Sequence, residues 1–150
     1  MPDDPVRVMF ETINNIAVLG CSREAGKAAH DVPRFIQEMG YRIIPINPGA
    51  EEILGERAYP NLQSAHESLD SKIELVDVFR PSEEVPDHLE DILSVEPDYL
   101  WLQLGIKHDQ TVLKARDRGI IAFQDQCLKV EYRKRFGDKP RSDWGTSTPS

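Results

Sequence analysis

Apolar residues in this chain fall into short unbroken runs, separated by stretches in which they return every three or four positions. Residues 16–19 are apolar without alternation and end on Gly20, as expected of a central strand in a parallel sheet covered by helices on both faces. Residues 42–46, 73–79, 99–104 and 120–123 repeat the pattern and complete a set of five strands. Between the first two, Val32, Phe35, Ile36 and Met39 form one helical stripe that starts near His30 or Asp31 and is closed by Gly40. A short helix is expected over residues 62–69. Val85, Leu89, Ile92 and Leu93 mark another, with Ser82 as its N-cap, Glu83 and Glu84 in its first turn, and Pro86 tolerated there. A helix over residues 110–118 follows Asp109 as cap, and residues 127–136 form a closing helix.

Strands separated by helices imply an α/β fold of Rossmann-like, doubly wound type, with a five-stranded parallel sheet and helices on both faces. The expected strand order is 3-2-1-4-5, which puts a switch point between the first and fourth strands. Residues 1–14 read as an N-terminal arm with a partly helical piece, residues 15–136 as the domain, and residues 137–150, rich in Pro, Ser, Thr and Gly, as a disordered tail. Residues 48–60 carry turn residues too often for a long element. The strand exits gather residues 20–27, 46–48, 78–80, 103–105 and 125–127 at one edge, where function is to be sought.

Composition narrows the classes. At 150 residues the chain has room for one core and not comfortably for two. A formal net charge of -8 argues against a general nucleic-acid surface, which needs dense Lys and Arg. No apolar run approaches the roughly 20 residues that span a bilayer, and the start lacks the basic and apolar regions of a secretion signal. A soluble, cytoplasmic protein is expected. Cys21 and Cys127 lie far apart, so free thiols are expected, without a disulfide framework or a zinc half-site. His30, His66, His88 and His108 show no metal spacing and read as surface or capping residues.

The strand-glycine-helix unit invites a dinucleotide, and two positions argue against one. Ser22 stands where the second glycine of G-x-G-x-x-G would let a pyrophosphate approach. The second strand ends on Asn47-Pro48, without the acid that would hold a ribose diol. Arg23, Lys27 and Arg42 instead supply positive charge in or beside the first loop, which suits a ligand with additional phosphates.

The segments NIAVLGCS, GYRIIPINPG, LGERAYPNL, VDVFRPSE, LWLQLGI and DQCLKVEY, in this order, resemble the small single-domain coenzyme A-binding proteins. These share a Rossmann-like fold with the amino-terminal CoA-binding domain of the succinyl-CoA synthetase alpha subunit and of ADP-forming acyl-CoA synthetases. The resemblance covers about residues 10–133 and implies CoA or acyl-CoA as ligand. By position it implies that Gly20, Cys21, Ser22 and Arg23 line a phosphate loop, with Lys27 and Arg42 as basic partners. Val78, Phe79 and Arg80 fall at the third strand exit, and Gln103, Leu104 and Gly105 at the fourth. Ala29 departs from a frequent serine, Cys21 from a frequent alanine and Leu128 from a frequent proline. CoA agrees with the residues read alone: its 3'-phosphate accounts for the surplus cations, and Ile46, Pro48, Phe79 and Leu104 offer an apolar path for the pantetheine arm. Cys127 lies near that path, either as a packing residue or as a thiol able to meet the CoA sulfur.

The related synthetases need a phosphorylated histidine on a separate domain and an ATP-grasp partner, for which this chain has no room. No nucleophile-base pair or P-loop can be assigned. The expected function is therefore a stand-alone CoA-binding protein without catalysis of its own. An NAD(P)-dependent oxidoreductase on the same fold, and a non-catalytic subunit that presents CoA to a partner enzyme, are the alternatives. Assembly as a homo-oligomer or with a partner enzyme is left open.

Overall fold

The computed structural model describes residues 4–144. Its first half comprises α1 (Pro5–Thr12), β1 (Asn15–Leu19), α2 (Ala28–Glu38), β2 (Arg42–Ile46), β3 (Glu52–Ile53), β4 (Glu56–Arg57) and α3 (Leu62–Ser68). Then follow β5 (Leu75–Val78), α4 (Leu89–Ser94), β6 (Tyr99–Leu102), α5 (Asp109–Asp117), β7 (Ile121–Phe123) and α6 (Leu128–Phe136). The five expected strands form one parallel sheet, and β3 and β4 form a small antiparallel hairpin within the irregular segment after β2.

The α/β fold class is as expected, but the strand order is not. The sheet runs β2-β1-β5-β6-β7, so the third long strand pairs with the first on the side away from the second: the order is 2-1-3-4-5, not 3-2-1-4-5. The reason lies in Pro45. Its carbonyl faces outward and accepts from Tyr59 N at 3.0 Å, and Asn47 N donates to Tyr59 O at 2.8 Å. A strand whose outer face lacks an N–H cannot carry a full ladder there, which confines β2 to an edge. The chain around Tyr59 covers that edge with a single bridge to Ile46. The switch point accordingly moves to the gap between β1 and β5.

Alternation along the strands divides the core. Ile16, Val18, Ile43, Leu75, Tyr99 and Trp101 face α1, α2 and α6, while Ala17, Leu19, Ile44, Val76, Val78, Leu100 and Leu102 face α3, α4 and α5. The helix expected after Ser82 is split: a 3-10 helix, Ser82–His88, contains Pro86 and precedes α4. Pro86 has no N–H to give an α-helical ladder. Ser82 Oγ does not cap it but accepts from Lys107 N at 2.9 Å, and α5 is capped by the His108 ring, not by Asp109.

The helical piece expected in the arm is present, and residues 138–144 of the expected disordered tail are packed. The arm is a helix whose Val6, Met9 and Phe10 are buried; the Phe10 ring stands edge-on to Tyr132 at 5.2 Å, and Asp4 pairs with Arg135 at 2.8 Å. After α6 the chain doubles back. Arg141 N donates to Met39 O at 2.9 Å, the Arg141 guanidinium lies 4.6 Å over the Tyr41 ring, and Trp144 stacks on Phe136 at 4.3 Å. Gly40 permits this approach, because a Cβ there would stand 2.7 Å from Arg141 Cγ. Residues 138–144 of the expected tail thus pack on the domain, and residues 145–150, like residues 1–3, lie outside the described residues. Among the described residues no helix is long and apolar enough to cross a membrane.

If α1 is part of the core, Phe10→Ala should lower stability by about 3–5 kcal/mol, the range for truncating a buried aromatic residue. Urea unfolding measures this directly, and a loss below about 1 kcal/mol would mean that α1 is an appendage.

Candidate functional site

The loop leaving β1 is held by backbone approach. Gly20 has φ of 86°, and its N–H donates to Ile46 O at 3.0 Å. A Cβ at Gly20 would stand 2.6 Å from Phe79 O, so the absent side chain makes room first for the exit of β5. Ser22 N donates to Ala29 O at 3.0 Å, and Ser22 Oγ accepts from Glu24 N at 3.0 Å. His30 Nδ1 donates to Ser22 O at 2.8 Å, which places the ring proton on that nitrogen and ties the first turn of α2 to the loop. Its sequence position suggested only a surface or capping role; nothing local signals a partner eight residues away. Lys27 precedes α2 and pairs with Glu24, while Gly26 N donates to Asp31 Oδ1 at 3.1 Å. Arg23 is exposed. The result is the positive end of a helix with Arg23 and Lys27 around it, a setting for an anion.

Beside this loop lies a cleft of about 390 Å³, within the range of small-ligand sites. Gly20, Asn47, Pro48 and Arg80 of the expected set line it. Pro60, Asn61, Glu84, His88 and Asp91 also line it and were not anticipated. Arg80 is paired with Glu84 one turn on. Asp91 accepts from Leu62 N at 2.8 Å and Gln63 N at 3.1 Å, and Asn61 Oδ1 accepts from Ser64 N at 2.8 Å, so both fix the start of α3. Asn61 before an apolar run is a readable cap. Asp91 caps a helix 29 residues earlier, which no local pattern reveals.

Other expected residues have structural duties. Asn47 Nδ2 donates to Cys21 O at 2.9 Å, and its Oδ1 accepts from Gly49 N at 2.8 Å, so its amide joins the loop to the exit of β2. Val78 is fully buried on the α3 side, and Phe79 packs on the α2 side. Gln103 is buried, donating to Asp77 Oδ1 at 2.6 Å and accepting from Leu128 N at 3.3 Å. Leu104, 69% exposed, stands at the rim, and Gly105 N donates to Asp125 Oδ1 at 2.8 Å. Cys127 precedes α6 and packs, half-buried, on the core face that contains Cys21 and Phe79. Burial pushes the Cys21 thiol up to about 12, so it is not a thiolate at neutral pH.

Arg42 is not part of this edge. It opens β2 opposite Asn15, the first residue of β1, so the strand itself separates it from Ile46 by about 13 Å at 3.3 Å per residue. A basic residue at the start of a parallel strand always faces the other edge of the sheet. The cations left near the loop and cleft are Arg23, Lys27 and Arg80.

One buried acid was overlooked. Asp77, in the row Val18, Asp77, Trp101, Phe123 across the sheet, is 1% exposed. Burial pushes its carboxyl up to about 7, against the Gln103 hydrogen bond, which lowers it.

These features coincide with a family. Residues 14–133 match the model described as a CoA binding domain, and the chain belongs to that family of Rossmann-like proteins. It is 31% identical over 127 residues to the uncharacterized protein YneT of Bacillus subtilis, covering 85% of this chain and 91% of that one. Its fold matches the structure of cell-free ID.343 from Thermus thermophilus with a TM-score of 0.83 and 37% identity, over 91% of this chain and 100% of the other. A 77-residue stretch is 27% identical to the ADP-forming acetate-CoA ligase of Methanocaldococcus jannaschii, covering 51% of this chain but 10% of the ligase.

Since folding raises the affinity of Asp77 for its proton, the stability it contributes is complete below the ordinary carboxylate range and is lost as pH rises through about 7. Asp77→Asn should flatten this decline in urea-unfolding free energy, whatever its effect on the absolute value. An unchanged slope would mean that Asp77 is already ionised in the fold.

Proposed function

We propose that this protein binds coenzyme A at the carboxyl edge of the sheet and acts as a binding module without catalysis of its own. The diphosphate lies on the loop of residues 22–27 and the first turn of α2, met by Arg23 and Lys27. The adenosine end occupies the cleft, where Arg80 and His88 supply polar groups, and the pantetheine arm runs toward Leu104. The observation that carries this reading is the corner at Asn47. The residue is an amide, bonded to Cys21 O of the loop and to Gly49 N, so the end of β2 offers no carboxylate to a free ribose diol, whereas a ribose bearing a 3'-phosphate requires none. Membership of the CoA-binding domain family supports it.

With Ser22 in place of the glycine that lets a dinucleotide pyrophosphate approach, calorimetry should give tighter binding of CoA than of NAD or NADP, and tighter binding of either dinucleotide would reject the reading in favour of an oxidoreductase. The position of the cations gives a finer test. Lys27→Ala and Arg23→Ala should each cost about 1–3 kcal/mol of CoA affinity, the range for hydrogen bonds to charged groups. Arg42→Ala should leave affinity within error, and an equal loss there would move the phosphates to the opposite edge.

The match to part of an acetate-CoA ligase favours one further reading, in which the module presents CoA to a partner enzyme. Co-elution of the native protein with an ATP-dependent acyl-CoA-forming activity would support it, and elution apart from any such activity would count against it.

A further inference from the structure

Asp77 lies one residue from the carboxyl end of β5, in the strand that borders the switch point, and on the same face as Cys21 of the loop. Only Gln103 meets its carboxyl group: Oδ1 accepts from Nε2, and Oδ2 has no partner among the described residues. Gln103 in turn accepts from Leu128 N at the start of α6. The titratable groups on this face are Cys21, Cys127, Tyr99, Tyr41 and Tyr132, of which Cys21 interacts electrostatically with Asp77. Lys129 and Arg133 of α6 lie over the Phe35 ring and do not act on Asp77. A carboxylate here would be desolvated, with one oxygen unpaired and no cation beside it.

We propose that Asp77 is a buried proton site that couples anion binding on the loop to pH, favouring the bound anion when protonated and opposing it when ionised. The inference rests on the reading of that loop as the diphosphate site. In the neutral form the group adds no charge beside Cys21, where the loop begins. Loss of its proton to solvent leaves an uncompensated negative charge in a low-dielectric layer, where repulsion of a bound diphosphate is weakly screened. Linkage requires the converse: binding the anion draws a proton onto Asp77, so complex formation takes up protons from solution near neutral pH.

The experiment is CoA calorimetry on the full chain between about pH 6 and 8.5, in buffers of different ionisation enthalpy, with wild type and Asp77→Asn side by side. Titration of the CoA phosphates is common to both proteins and cancels in the comparison. Wild type should lose about tenfold more affinity across this range than the variant, the scale of one unit charge acting over about 12 Å at an effective dielectric near 20. It should also take up more protons on binding. Equal pH profiles and equal proton uptake would overturn the inference while leaving CoA binding intact; absence of CoA binding in wild type would defeat the loop reading itself, and this inference with it. Gln103→Leu gives an independent check, because removing the one donor to the carboxyl should move the wild-type pH dependence upward. Carboxyl carbon NMR of wild type reads the same group directly: the Asp77 midpoint should lie near neutrality and rise when CoA is added, and a carboxyl ionised throughout would overturn the proposal.

Discussion

The carboxyl edge of this molecule depends on three backbones meeting at one residue without a side chain. Gly20 gives its N–H to the last residue of β2, and the place where its Cβ would be is occupied by the carbonyl of Phe79 beyond β5. A larger residue would separate those exits, and with them Asn47 on one side and Arg80 on the other. The loop then turns directly into α2, and the cleft opens over the end of β1, between the exits of β2 and β5 on its two sides. The cleft forms here because β1 is pinned on both flanks at the point where it ends.

Electrostatics at this edge are local and largely self-contained. The chain carries a net charge of -8, yet the loop keeps its cations close to internal acids: Lys27 faces Glu24, Arg80 faces Glu84, and the Gly26 N–H faces Asp31. These are partly exposed contacts of small net worth, so an incoming phosphate can exchange for them at little cost. Such a loop is organised before a ligand arrives but is not saturated by its own acids. The buried layer behaves differently, since the Asp77-Gln103 pair has no solvent to exchange with.

The sequence made the strands legible because continuous apolar runs can be buried on two faces in only a few ways. It also placed Gly20, Asn47, Pro48 and Arg80 at one edge correctly. Where it misled, the missing information was mostly a contact between distant parts of the chain. Strand order was the exception: Pro45 inside a strand marks an edge and could have been read as such. So could Asp77, an acid within an otherwise apolar run, which signals a buried polar group that needs an explanation. Arg42 failed for a simpler reason, since direction along a parallel strand decides which edge a residue serves. The capping of α3 by Asp91, the clasp between His30 and Ser22, and the packing of Trp144 on Phe136 depend on tertiary approach and have no local signature.

The first and last described segments meet at the opposite edge. Asp4 and Arg7 contact Arg135 and Phe136, and Arg141 reaches Asn14 at the start of β1 and Met39 at the end of α2. Residues 4 and 144 therefore lie on the α1 and α6 side, with the length of the sheet between the returning strap and the loop after Gly20. The described chain thus enters the fold at residue 4 and leaves it at residue 144 on the amino side of the sheet. A surface that gripped the molecule by this strap would leave its cleft facing outward, toward whatever diffuses past.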